Sequence, residues 1–217
     1  MFVKASVLHQ DLSPANVMCQ VLTEVGTQIK VIKLVIIDFD LATRVDTAKD
    51  YTSSVHRTGT VPFMATELIH SASKPHHLRH DFESVFSIAL WFITRLPRRV
   101  SKDDIFMTWD LVPLLKGSFW VQDRGWEEIS KDHYTPTPTF QAYDTWLHRV
   151  WNLFCRSKRA FAEYSDARPP PSEPYDDVTC NGTLVYTILK EELDEVGILL
   201  CDKVDNLRLT SPEYCKL

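Results

Sequence analysis

Glycine is scarce: six residues in a chain of 217, where average usage would supply about fifteen. No G-x-G-x-x-G and no G-x-x-x-x-G-K occurs, so a glycine-rich phosphate loop has little material to be built from. The five cysteines, Cys19, Cys155, Cys180, Cys201 and Cys215, are odd in number and include no C-x-x-C pair. They signal neither a disulfide framework nor a zinc site, and read as free thiols in a reducing compartment. An excess of basic charge is missing too. With 24 Lys and Arg against 29 Asp and Glu the net charge is −5 and the pI near 5.9, which argues against a nucleic-acid partner. No apolar run approaches the ~20 residues of a membrane span, and the N-terminus lacks the charged and apolar regions of a signal peptide. The expected setting is cytoplasmic or nuclear, with no membrane partner.

What is present is enough to pack a core. Hydrophobic residues make up 44% of the chain and six are Trp, which excludes global disorder. Residues 29–38 are β-branched and almost continuously apolar, and Gly26-Thr27 marks a turn before them, so a short β-hairpin is expected around residues 17–38. From Asp81 to Leu96 apolar residues occupy nearly every helical face, which predicts a helix buried all round and stopped by Pro97. Amphipathic helical material follows at 104–115 and 140–161, the latter with Tyr143, Trp146, Leu147, Val150, Trp151 and Phe154 at three- and four-residue steps. Pro169, Pro170, Pro171 and Pro174 form a stiff linker. The expected organisation is therefore a main unit over 1–165, a linker over 166–182, and over 183–217 a helix to Val204 and a loose tail from Asp205.

One constellation carries chemistry. His9-Gln10-Asp11-Leu12-Ser13-Pro14-Ala15-Asn16 is followed, 22 residues after Asn16, by Asp38-Phe39-Asp40 at the end of the apolar strand. A carboxylate and an amide five residues apart on one loop can face a common point, and a carboxylate at a strand end can reach it from the neighbouring hairpin. An amide oxygen with a carboxylate suits Mg²⁺, which takes a few protein oxygens together with water and substrate phosphates. Asp11 is then left to orient a hydroxyl and accept its proton. His76, His77 and His80 stand close together, but without Cys or carboxylate at zinc spacing they read as a solvated loop. Thr52, Ser53, Ser54 and Thr58 are candidate phosphorylation sites.

H-x-D-x-x-x-x-N followed by D-F-x resembles the catalytic-loop and metal-loop pair of the protein kinase fold, a pair shared with small-molecule kinases of the aminoglycoside and choline type. Arg57 to Glu67 (RTGTVPFMATE) looks like the end of an activation segment, with Ala65-Thr66-Glu67 where A-P-E is usual. Asp81-Phe82-Glu83-Ser84 with the following Trp91, and the R-T-G-T run, are most similar to the fungal-type protein kinase family. The resemblance implies an α+β, protein kinase-like fold: a large, mainly helical C-terminal lobe with a short β-hairpin. It implies ATP-dependent phosphorylation of protein Ser or Thr hydroxyls, with ATP and Mg²⁺ as cofactors. Asp11 would be the catalytic base, Asn16 and Asp38 the Mg²⁺ and nucleotide ligands, and Thr60 a hydroxyl tying the activation segment to Asp11. Glu67 would pair with an arginine later in the lobe, and Asp81 would hold the catalytic-loop backbone.

The departures matter as well. Gln10 replaces an arginine that reads a phosphorylated loop, Ser13 a lysine near the transferred phosphate, and Asp40 a glycine. Only eight residues precede His9, so the expectation is an N-terminal lobe that is absent, weak ATP binding and slow transfer, since positioning alone can supply ~7–11 kcal/mol of a barrier. Two alternatives stay open. One is an inactive pseudokinase remnant acting as an interaction module, with a partner on the face left open. The other is a small-molecule kinase, in which Glu67 would make no buried ion pair.

Overall fold

The β-branched run and its upstream neighbour pair as expected. In the computed structural model, which describes residues 7–23, 30–44, 59–71, 74–95, 105–121, 126, 141–169, 172–185, 187, 188, 191 and 213–216, β2 (Val17–Thr23) and β3 (Lys30–Ile36) form an antiparallel hairpin. Its register sets Val17 opposite Ile36 and Thr23 opposite Lys30. A second, two-stranded sheet joins β1 (Val7–Leu8) to β4 (Thr43–Arg44). The hairpin also accepts β5 (Glu213–Lys216) along β2, so the tail expected to be loose supplies a strand. Most of the helix expected over 184–204 lies outside the described residues, as do the Gly26-Thr27 turn and the four candidate phosphorylation sites.

Helices make up the rest of the α+β architecture. Among the described residues they are α1 (Thr66–His70), α2 (Leu78–Arg95), α3 (Ile105–Leu111), α4 (Leu115–Val121) and α5 (Gln141–Asp166). The segment expected at 104–115 ends early, at Leu111, and a second helix begins at Leu115. Pro113 cannot donate to the backbone ladder, and the chain turns there before α4 begins. No helix among the described residues is long and apolar enough to cross a membrane.

Helix α2 is the axis of the core. Phe82, Phe86, Ile88 and Leu90 are buried, and the Phe86 ring lies 5.4 Å from Trp120 of α4 and 5.9 Å from Phe154 of α5. Trp151 Nε1 donates to the Phe119 carbonyl at 3.2 Å, tying α5 to α4. The turn at Val61–Phe63 is anchored by Phe63, stacked on Phe106 of α3 at 5.6 Å. The helix is not buried all round, since Val85 is 40% exposed, and much of what it buries is polar: Arg79, His80, Asp81, Glu83, Ser84 and Ser87. The stretch after the prolines, expected to be a linker, folds back onto this unit and adds Cys180 and Leu184 to the core.

This packing makes a sharp local prediction. Phe86→Ala should lose about 3–5 kcal/mol of stability, while Val85→Ala, one residue away on the open face, should stay within about 0.5 kcal/mol. Urea denaturation midpoints measure both, and equal losses would contradict the assignment of the two faces.

Candidate functional site

The loop from His9 to Asn16 is fastened to the end of β3 by its own first residue. Fully buried His9 places Nε2 2.9 Å from the Ile37 carbonyl, and its Nδ1 accepts the Asp11 amide at 3.4 Å. That pairing makes Nδ1 the acceptor and Nε2 the donor to the Ile37 carbonyl. The Ile37 amide donates in turn to the Asn16 carbonyl at 3.0 Å. Ile37 is thus bonded to both ends of the loop, and Asp38 is the residue that follows it. The Asn16 side chain donates from Nδ2 to the Asp11 carbonyl at 2.9 Å, leaving its Oδ1 as the atom available to a hard cation.

Backbone strain sits in the same two places. Gln10 (φ 70°) and Asp38 (φ 63°) are both left-handed. An aspartate tolerates this conformation, whereas for most residues it costs about 1–2 kcal/mol and persists only when the surroundings over-determine it. For Gln10 the determinants are visible. Its amide donates to Asp81 Oδ1 at 3.2 Å, and its side chain donates to the Thr43 hydroxyl on β4. The contact between Gln10 and Thr43 is a neutral amide–hydroxyl one.

Asp81, 1% exposed near the start of α2, is the brace beneath the loop. Its Oδ2 accepts the His9 amide at 2.7 Å, and its Oδ1 accepts the Gln10 amide and lies 2.8 Å from His76 Nε2. From the other side, the Thr60 backbone amide donates to Asp11 Oδ1 at 3.3 Å. The tie expected from the Thr60 hydroxyl is thus made by its main chain. Gly59 precedes it at φ 154°, a backbone conformation that side chains rarely adopt.

Glu67 pairs with Arg79, whose Nη2 lies 2.7 Å from Oε2 and 2.8 Å from Asp177 Oδ1 beyond the prolines. Arg79 is 4% exposed and Glu67 21%, so the pair is largely buried. Burial alone would raise the Glu67 carboxyl, but the His80 ring and the Arg79 guanidinium hold it well below the usual carboxylate range. Of these two, Arg79 is the closer partner: His80 Nε2 faces the same oxygen at 3.5 Å without completing a hydrogen bond. His80 Nδ1 accepts the His77 amide at 3.0 Å, and burial draws its pKa down to about 4, so the ring is neutral. His76 and His80 are therefore parts of a buried polar network rather than of a solvated loop.

A second carboxylate locks α1. Glu83 Oε1 accepts both the amide and the hydroxyl of Thr66, at 2.8 and 2.6 Å, and Oε2 lies 3.2 Å from Lys158 Nζ. A proline at this position, as in A-P-E, would have neither donor. Burial works to raise the Glu83 carboxyl, yet Lys158, Lys116 and the Thr66 bonds bring it down to about 2.

The structure thus joins Asp11, Asn16 and Thr60 by hydrogen bonds, and Asp38 follows Ile37, which is bonded to Asn16, with Asp38 and Asp40 exposed. Ser13 is buried at 2% exposure. Arg79, Glu83, Lys158 and Asp177 carry the support. Of these only Glu83 was marked in the sequence, within a family-like motif and without a role. A cleft of about 320 Å³ lies elsewhere, lined by Glu67, His70, Lys74, Lys158 and Phe161 among others. Its carboxylate and lysines are already paired, Lys74 with Glu67 and Lys158 with Glu83. Among the described residues no group of three or more His, Cys, Asp or Glu could hold a metal ion.

Residues 1–93 match the family model of the fungal protein kinase. The match takes in both loops, the hairpin, the end of the activation segment and most of α2, and it supports the resemblance carried by their motifs. Neither curated proteins nor solved structures supply a match.

Acid titration tests the buried carboxylates. Glu83 falls from an ordinary 4.5 to about 2 on folding, so the stability it contributes is complete above its unfolded pKa and drains away as the pH drops toward its folded one. Glu83→Gln should lower stability at pH 7 by about 3 kcal/mol, as breaking a buried pair does. It should also flatten the loss of melting temperature between pH 4.5 and 2. A variant with the wild-type acid slope would contradict the assignment.

Proposed function

We propose that this chain carries the large lobe of a protein kinase-like phosphotransferase, moving the γ-phosphoryl group of ATP to Ser or Thr hydroxyls of a protein. The observation that carries the reading is the double fastening of Asp11: Asp81 braces its loop from below, and the Thr60 amide at 3.3 Å fixes one carboxylate oxygen. Oδ2 is then the oxygen that would orient an attacking hydroxyl and take its proton. Asn16 Oδ1 and the Asp38 carboxylate are hard donors of the kind Mg²⁺ accepts when phosphates and water complete its shell. When bound, Mg·ATP supplies the phosphoryl group and neutralises charge on it. Buried Ser13 adds no cation there, so turnover is expected below the ~1–100 s⁻¹ of ordinary kinases.

Against the small-molecule kinase reading stands the Glu67–Arg79 pair, which that reading does not need. The interaction-module reading draws support from Phe39 and Leu41, each 38% exposed beside Asp38 and Asp40. It differs in one outcome, because under it Asp11→Ala leaves the biological effect intact.

A thermal-shift titration with Mg·ATP separates these readings. At ten times Kd, mass action supplies about 1.4 kcal/mol, or about 3 °C or more for a chain of this size. The wild type should show that shift and Asp38→Ala should not. Asp11→Asn should keep the shift and lose phosphoryl transfer to a generic acceptor protein. A wild type indifferent to Mg·ATP would exclude the phosphotransferase reading.

A further inference from the structure

We propose that Lys116 is a positioning residue for the Asp11 site: its ammonium group grips the main chain at Pro62 and Met64, and so holds the Thr60 amide that fastens Asp11. The role of Asp11 in this inference rests on the phosphotransferase reading, whereas the grip itself does not. Lys116 lies on α4, outside the stretch that matches the kinase family. It has no exposed surface. Its Nζ lies 2.8 Å from the Pro62 carbonyl, 2.8 Å from the Met64 carbonyl and 3.1 Å from Ser87 Oγ. Three donors meet three oxygens, which is the full capacity of a protonated lysine and one more than a neutral amine could donate to.

The link to Asp11 is short. Phe63 and Met64 donate their amides to the Thr60 carbonyl at 2.9 and 3.2 Å, closing the turn over Val61–Phe63. The carbonyls of Pro62 and Met64 face the other way, into the core, where an acceptor without a donor costs about 1–3 kcal/mol. Lys116 satisfies both. The opposite end of the turn is Thr60, whose amide bonds Asp11 Oδ1. A residue needed only to fill space at 116 would be better apolar, since well-packed hydrophobic replacements of buried charges are often neutral or stabilising. Burial draws the Lys116 amine down to about 7, with Glu83 pulling it back up and Lys158 pushing it further down. The Trp109 ring lies 5.1 Å from Nζ and favours the cation.

Amide hydrogen exchange on the full chain at pH 6 tests the grip. Lys116→Met keeps the side chain's length and removes its donors. Exchange in residues 59–65 should rise tenfold or more, while the α2 core changes less than twofold. Lys116→Arg, which retains donors, should restore most of the protection. In the wild type, a ¹⁵N signal from the Lys116 ammonium should be shielded from exchange with water, which tests the proposal even if a variant fails to fold. Unchanged exchange at 59–65 in Lys116→Met, a rise spread evenly through the core, or the absence of a shielded ammonium signal would each overturn it. An absent Mg·ATP shift beside the expected exchange pattern would sink the phosphotransferase reading and still support the grip.

Discussion

Two hydrogen bonds from one buried carboxylate hold the catalytic-loop candidate in place. Asp81 accepts the amides of His9 and Gln10, residues more than seventy positions earlier in the chain. The second of these has left-handed backbone, a conformation that a glutamine does not adopt unaided. An ionised acceptor shared by two amides is a strong hydrogen-bond arrangement. Without it Gln10 would relax, and Asp11, the next residue, would turn away from the Thr60 amide. The rigidity of the site therefore begins at the start of the core helix, and the helix is rigid because aromatic rings from α4 and α5 close around Phe86.

The same helix start distributes charge in both directions. Arg79 reaches Glu67 on one side and Asp177 on the other, so it joins the end of the activation segment to chain that lies beyond the prolines. Glu83 reaches Thr66 and Lys158, joining α1 to α5. Arg79 and Glu83 each have an opposite partner within 3.2 Å, which is the condition under which burial is tolerated. Breaking one partner leaves the other charged in a dry place, so the network acts as a set. It supports the segment from Gly59 to His70 at Thr66 and Glu67, and that segment touches Asp11 through Thr60.

How much of this could be read from residues alone depends on the range of each interaction. The hairpin was legible because β-branched residues with a Gly-Thr turn form a local pattern. Helix α2 was legible from its length and apolar density; Asp11, Asn16 and Asp38 were marked as candidates by their spacing, and Glu67 and Asp81 by the family resemblance. The Pro113 break between α3 and α4 was there to be read and was passed over. Hidden from the sequence were the pairings between distant segments: Arg79 with Asp177, Glu83 with Lys158, Lys116 with Pro62 and Met64. A lysine in an amphipathic stretch reads as solvated, and only the fold turns it inward. The histidines were misread for the same reason, since His76 finds its carboxylate only once α2 has formed. For Thr60 the tie was expected from the hydroxyl and the bond present comes from the main-chain amide, because a motif names a residue and not which of its atoms makes the bond.

The candidate site rests on backbone geometry. A carboxylate with one oxygen fixed and an amide oxygen oriented by its own nitrogen lie on one loop, and an exposed aspartate with left-handed backbone follows Ile37, which is bonded to that loop. The account stands on the claim that Asp81 sets that geometry. Amide exchange at His9 and Gln10 in Asp81→Asn measures it most directly, since the amide side chain keeps a single acceptor oxygen for two donors. The account predicts that protection of these two amides falls by about tenfold, equivalent to about 1.4 kcal/mol, while the α2 core beyond Phe86 keeps its own. Unchanged protection at both amides would contradict it.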